Sequence, residues 1–205
     1  MRIAYFGRTE LRCSVPVLLL PPAAVVLGRF DEALIVVASL AAHELAHAFI
    51  AHRLGCRILA LELQPFGFIA RLDRDGDTPS ERCAVAAAGP VTSLLIALCS
   101  AGLASLSGLP GPSALSMLST FNLTLGAVNL LPVLPLDGGR LALSFWERRG
   151  NGKQGAALLA GLGAAAGLLL ACAGVLLLVF SPGKPGAGGF SLVLTGVFLV
   201  FAAFS

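Results

Sequence analysis

Three long stretches of this chain carry no charged side chain. Residues 83–136, 154–183 and 185–205 contain no Asp, Glu, Lys or Arg. A helix needs about 20 apolar residues to cross a bilayer. The last two stretches therefore hold one crossing each. The first holds two, parted by "SLSGLPGPS" (105–113), whose glycines and prolines break a helix. Upstream, 33–54 supplies another. The segment "CSVPVLLLPPAAVVLG" (13–28) is shorter and interrupted by Pro16, Pro21 and Pro22. It reads as a first crossing, with a kinked or re-entrant segment as the alternative; the prolines spoil the apolar region that a cleaved signal peptide needs. Only 12% of the 205 residues are charged and 57% are hydrophobic, against about 25% charge in a soluble domain. The expected fold is an all-α multi-pass membrane protein in one domain over residues 1–205. Its six spans fall at about 14–29, 33–54, 84–106, 113–131, 155–180 and 187–204.

Charge placement predicts the orientation. With the N-terminus inside, twelve of the fourteen Lys and Arg residues fall on inside segments, and only Arg29 and Lys184 lie outside. That asymmetry follows the positive-inside rule and puts both termini in the cytosol. The net charge of +3 is accounted for by arginines at membrane edges, so no nucleic-acid partner is implied. The five cysteines, at 13, 56, 83, 99 and 172, form no CxxC pair and read as small apolar residues.

Within the second predicted span stands "AAHELAHAFI" (41–50). His43 and His47 are four apart, so on a helix they share a face and both imidazoles can reach one metal ion. Glu44 lies between them, placed to act as general base on an attacking water. An ionisable side chain within a span costs about 2.5–3.5 kcal/mol on insertion scales, so three on one turn point to function rather than packing. A catalytic zinc site takes three protein ligands and keeps one open position. The residues offer three candidates for the third. His52 is five places after His47, turned away from it and near the cytosolic edge, and reads as an interfacial residue. Glu62 lies in "LELQPFGF", beyond the end of the helix. Asp137, in "NLLPVLPLDGGR" (129–140), is the best placed. It is the only acid between Glu81 and Glu147, and the predicted topology sets it at a depth similar to that of the histidines. Pro132 and Pro135 break the helix there, and Gly138 and Gly139 are expected to make a tight return.

The combination resembles the site-2 protease family of intramembrane zinc metalloproteases, peptidase family M50. "HELAH" (43–47) resembles its HExxH, "NLLPVLPLDGGR" its NxxPxxxLDGG signature, and "AAAGPVTSLL" (86–95) the small-residue GP motif of its third span. The compact layout is similar to that of the stage IV sporulation protein FB type. The resemblance implies zinc held by His43, His47 and Asp137, with Glu44 as the catalytic base. It also implies that Asn129 assists by holding the scissile carbonyl, a donor role that is worth several kcal/mol when preorganised. Neither a PDZ insertion nor a CBS domain is expected within residues 1–205.

The implied reaction is hydrolysis of a peptide bond in a membrane-tethered protein near the cytosolic face. A sigma-factor precursor is the substrate that the resemblance suggests, with regulatory membrane proteins as further partners. Such a substrate must be extended at the cut, because a helix conceals its carbonyls. "RILALELQPFGFIARL" (57–72) alternates in character around Pro65-Phe66-Gly67. It reads as a short membrane-associated hairpin or strand between the second and third spans, able to pair with substrate by strand addition, with an amphipathic loop anchored on the headgroups as the alternative. Two alternatives remain open: a catalytically silent zinc-binding membrane protein, and a protease of the same type that clears signal-peptide remnants.

Overall fold

The computed structural model describes residues 2–6, 9–13, 28–56, 58–64, 67–72, 78–107, 113–180 and 189–203. Among them run β1 (Arg2–Phe6), β2 (Thr9–Cys13), α1 (Phe30–Arg53), β3 (Ile58–Gln64), β4 (Gly67–Leu72) and α2 (Pro79–Ser107). There follow α3 (Ala114–Asn129), α4 (Asp137–Arg148), α5 (Gly152–Phe180) and α6 (Gly189–Ala203). The chain divides into two units, Met1–Leu130 and Leu131–Ser205.

The described residues are mostly helical. Helices α1, α2 and α5, of 24, 29 and 29 residues, are long and apolar enough to cross a membrane. Helices α3 and α6 occupy two further predicted spans but have 16 and 15 residues, short of the roughly 20 that a full crossing takes. The predicted first span, 14–29, lies outside the described residues up to position 27. Leu45 and Phe49 of α1, Leu98 and Leu106 of α2, and Leu168 and Phe180 of α5 are exposed. Lipid tails are as apolar as these side chains, so a bilayer solvates them where water would not.

In the first unit, β1, β2, β3 and β4 form one sheet in that order. The outer pairs are antiparallel, and β2 runs parallel to β3. A parallel pair needs a crossover connection, and α1 lies in the one between β2 and β3. The sequence pattern predicted no strand at 2–6 or 9–13, so the sheet is wider than the expected hairpin. Helix α1 ends in a Schellman motif. Gly55 adopts φ +82, Cys56 N–H donates to the Ala51 carbonyl and Gly55 N–H to that of His52. The accompanying apolar contact is part of a small core of Ala51, Cys56 and Val85. Helix α2 opens on a capping box in which Thr78 and Glu81 exchange side-chain-to-backbone hydrogen bonds of 3.0 and 3.2 Å, with Pro79 as its first residue. Ser113 and Ser116 cap α3 in the same way.

In the second unit, α4 corrects the expected tight return. Asp137, Gly138 and Gly139 form its first turn, and all three are buried. A Cβ on Gly139 would stand 2.5 Å from the Val133 carbonyl carbon, so the glycine lets the helix begin directly against the preceding backbone. Helix α4 then runs beside the start of α5. Leu134 N–H donates to the Leu159 carbonyl, Gly163 touches the Leu134 carbonyl, and Trp146 covers Gly155. Helices α5 and α6 approach closely at Gly167, where a Cβ would lie 2.6 Å from the Gly196 carbonyl oxygen.

Candidate metal centre

Helix α1 presents Ser39, His43, His47 and Ala51 at four-residue spacing, one above another on one face, and all four are buried. His43 is 3% exposed and His47 6%. Their rings meet edge to face, with centroids 4.9 Å apart. Glu44 completes the group, for one ligand atom from each of His43, Glu44 and His47 lies within 4.8 Å of the others.

Helix α2 backs this face with residues of the same spacing: Val85, Gly89 and Ser93. His47 Nδ1 donates to the Val85 carbonyl at 2.7 Å. A carbonyl only accepts, so the proton is on Nδ1, and in the neutral ring Nε2 carries the lone pair a metal requires. His43 Nδ1 lies 2.9 Å from Ser93 Oγ, and Ser93 is wholly buried. A hydroxyl can accept the same proton, which turns Nε2 of His43 to the same use. Both Nε2 atoms face Gly89. A Cβ built there would stand 2.6 Å from His43 Nε2 and would also crowd His47 Nε2. Zinc binds imidazole nitrogen at about 2.0–2.1 Å, so the absent side chain leaves room of the kind a shared ion needs. Two imidazoles and a carboxylate are donors that suit zinc.

Ser93 holds the His43 ring from behind and would orient it toward a metal ion without touching the ion. Ser93→Ala is expected to weaken zinc affinity about 10–100-fold, the usual effect of losing such a partner. Competition with a fluorescent chelator measures it. Ser93→Thr, which keeps a hydroxyl, is expected to retain more affinity than the alanine variant.

Helix α3 joins the same wall. Asn122, wholly buried, donates to Ser39 Oγ at 2.8 Å and to the Leu118 carbonyl at 2.9 Å. Gly126 packs on Leu94 and the Pro90 carbonyl of α2. Asn129 follows on the same face of α3, at the spacing i, i+4, i+7 from Asn122. Its side-chain amide donates to the Leu125 carbonyl at 3.0 Å.

The structure thus brings together three of the predicted site residues, His43, Glu44 and His47. Asp137 belongs to the second unit, where it is 7% exposed and its carboxylate lies 3.9 Å from the Arg140 guanidinium. His52 is exposed at the end of α1 and outside the cluster, and Glu62 falls on β3. Sequence reasoning missed Ser93, the Val85 carbonyl, and the pair Ser39 and Asn122. It quoted Gly89 and Ser93 within a motif but gave them no task. In a run that carries no charge, no sequence signal sets these positions apart from the other faces of α2.

Membrane-length helices around a buried cluster of two histidines and a glutamate define a class: helical membrane proteins able to hold a metal ion. Comparison with known proteins narrows it. The model of "Peptidase family M50" matches residues 32–116 and 111–171. The chain belongs to peptidase family M50. A candidate zinc metalloprotease of Mycobacterium tuberculosis, Rip3, is 39% identical over 176 residues, which covers 82% of this chain and 42% of that protein. Zinc metalloprotease MJ0392 of Methanocaldococcus jannaschii is 27% identical, covering 80% and 46%. Stage IV sporulation protein FB of Bacillus subtilis is 33% identical over 108 residues, covering 52% and 37%. The chain thus spans less than half the length of these relatives. Among solved structures, the site-2 protease from Methanocaldococcus jannaschii superposes with a TM-score of 0.71 at 22% identity, over 100% of this chain and 93% of that one. That likeness is one of fold.

Proposed function

We propose that this chain is an intramembrane zinc metalloprotease that hydrolyses a peptide bond in a membrane-associated protein. The observation that carries the proposal is the pair of buried histidines whose Nε2 atoms face the same glycine, beside Glu44, on a helix of membrane-crossing length. Membership of family M50 and the names of two relatives support it. In this reading His43, His47 and Asp137 hold the zinc. Asp137 is supported by its signature, "NLLPVLPLDGGR", and by its burial on the first turn of α4. Bound zinc would supply a Lewis acid for the attacked carbonyl and for water. Glu44 accepts a proton from the attacking water and returns it to the departing amine. Asn129, at the end of α3, donates to the carbonyl oxygen as negative charge develops there.

The finer parts of the reading are a six-crossing arrangement, both termini in the cytosol, and β3 and β4 at the membrane surface, where β4 takes substrate as an added strand. Release of a membrane-tethered regulator such as a sigma-factor precursor is the proposed task, with the sporulation relative as its support.

The test is co-expression with a membrane-tethered sigma-factor precursor. The wild type is expected to yield a shorter product, and Asp137→Ala to yield none. Treating membranes with 1,10-phenanthroline is expected to stop the reaction, and added zinc to restore it. Wild-type product levels from Asp137→Ala would remove Asp137 from the site. An intact precursor beside the wild type would overturn the proposed substrate.

A further inference from the structure

The path of α4 along α5 ranks its residues by depth. Leu134 touches α5 at Leu159 and Gly163, whereas Trp146 touches it at Gly155. Eight residues of helix, from 155 to 163, correspond to about 12 Å. No charge occurs from 154 to 183, so the apolar run of α5 begins directly after Lys153. Helix α4 therefore starts deep, at buried Asp137, and leads outward to the membrane boundary. Its outer end carries Phe145 and Trp146, then Arg148 and Arg149, and Lys153 follows on the first turn of α5. Aromatic rings followed by cations is the order in which side chains meet an interface and then the headgroups.

Three details make this end more than a generic boundary. Arg148, Arg149 and Lys153 are exposed, and none has an ion-pair partner among the described residues. The one acid between them and Asp137, Glu147, lays its stem against Gly152. The Arg149 guanidinium stands 4.3 Å from the centroid of the half-exposed Phe145 ring, a cation–π contact that limits its freedom before any ligand arrives. Gly150, at φ +77, closes a Schellman turn. Asn151 N–H donates to the Trp146 carbonyl and Gly150 N–H to that of Glu147, so a defined backbone turn joins Arg148 and Arg149 to Lys153.

We infer that Arg148, Arg149 and Lys153 form a docking surface for anionic lipid headgroups, with Phe145 and Trp146 beside the upper acyl chains. Charge complementarity selects this occupant. Three exposed cations at a membrane boundary meet the phosphate and carboxylate groups of the lipid surface next to them. Arginine can bind a phosphate through two parallel hydrogen bonds.

Trp146 is the single tryptophan of the sequence, which makes the test specific. The full chain is placed in phosphatidylcholine bilayers that contain a minor fraction of brominated lipid. Brominated phosphatidylglycerol is expected to quench Trp146 at least about twofold more than brominated phosphatidylcholine at equal content. The triple variant Arg148→Gln, Arg149→Gln, Lys153→Gln is expected to lose that excess while quenching by the zwitterionic lipid stays unchanged. The excess is also expected to shrink at high salt and to survive millimolar inorganic phosphate. Equal quenching by both lipids in the wild type, or an excess that persists in the triple variant, would overturn the inference. Loss of the excess on adding phosphate would overturn it too, because the surface would then serve a soluble anion.

Discussion

Gly89→Ala is expected to empty the metal site of an otherwise folded protein. The added methyl would stand 2.6 Å from His43 Nε2 and would also crowd His47 Nε2, within the space that an ion bound at about 2.0–2.1 Å from both nitrogens needs. The obstruction cannot be relieved cheaply. The two rings are held from behind, by the Val85 carbonyl and by Ser93, and Gly89 itself is fixed in the middle of α2. Alanine is a better helix former than glycine by about 1 kcal/mol, so α2 has no local reason to unwind. The expected result is a variant that is inserted and helical yet retains no zinc and cleaves nothing. Metal analysis by mass spectrometry, alongside circular dichroism, checks both halves. A Gly89→Ala protein with wild-type zinc would show that the ion is not held between these nitrogens.

Glu44→Gln is expected to separate binding from chemistry. Glutamine keeps the size of glutamate and a carbonyl oxygen but cannot accept a proton at neutral pH. Loss of a general base costs about 10²–10⁴-fold in rate, which in a co-expression assay appears as loss of product. Zinc is expected to remain, because His43 and His47 keep their nitrogens and their partners on α2. The contrast with Gly89→Ala is diagnostic, since one variant loses the reaction with the metal in place and the other loses both. Undiminished cleavage by Glu44→Gln would remove Glu44 from the mechanism.

The sequence made the histidine face of α1 legible because its signal is local. Two histidines four apart on one helix share a face wherever that helix packs, and the lack of other charges made them conspicuous. The backing on α2 was not legible, since that helix is apolar all round. In a run without charges, nothing in the pattern tells which of its faces meets α1. Only packing picks out Val85, Gly89 and Ser93. Helix α4 was hidden for a different reason. Two glycines in its first turn, at about 1 kcal/mol each relative to alanine, argue against a helix by propensity. Close contact of Gly139 with Val133, and of Trp146 with Gly155, overrides that preference. Strands β1 and β2 are five residues each, too short for their alternation to stand out. The part of α2 that closes around the histidines carried a motif, yet the motif alone gave no task to the hydroxyl of Ser93.

The most direct measurement is the zinc content of the purified full chain, set beside that of His43→Ala and His47→Ala. The account predicts about one zinc per wild-type chain and background metal in both variants. A wild-type chain without zinc, or histidine variants that keep it, would contradict the claim that this buried face of α1 is a metal centre.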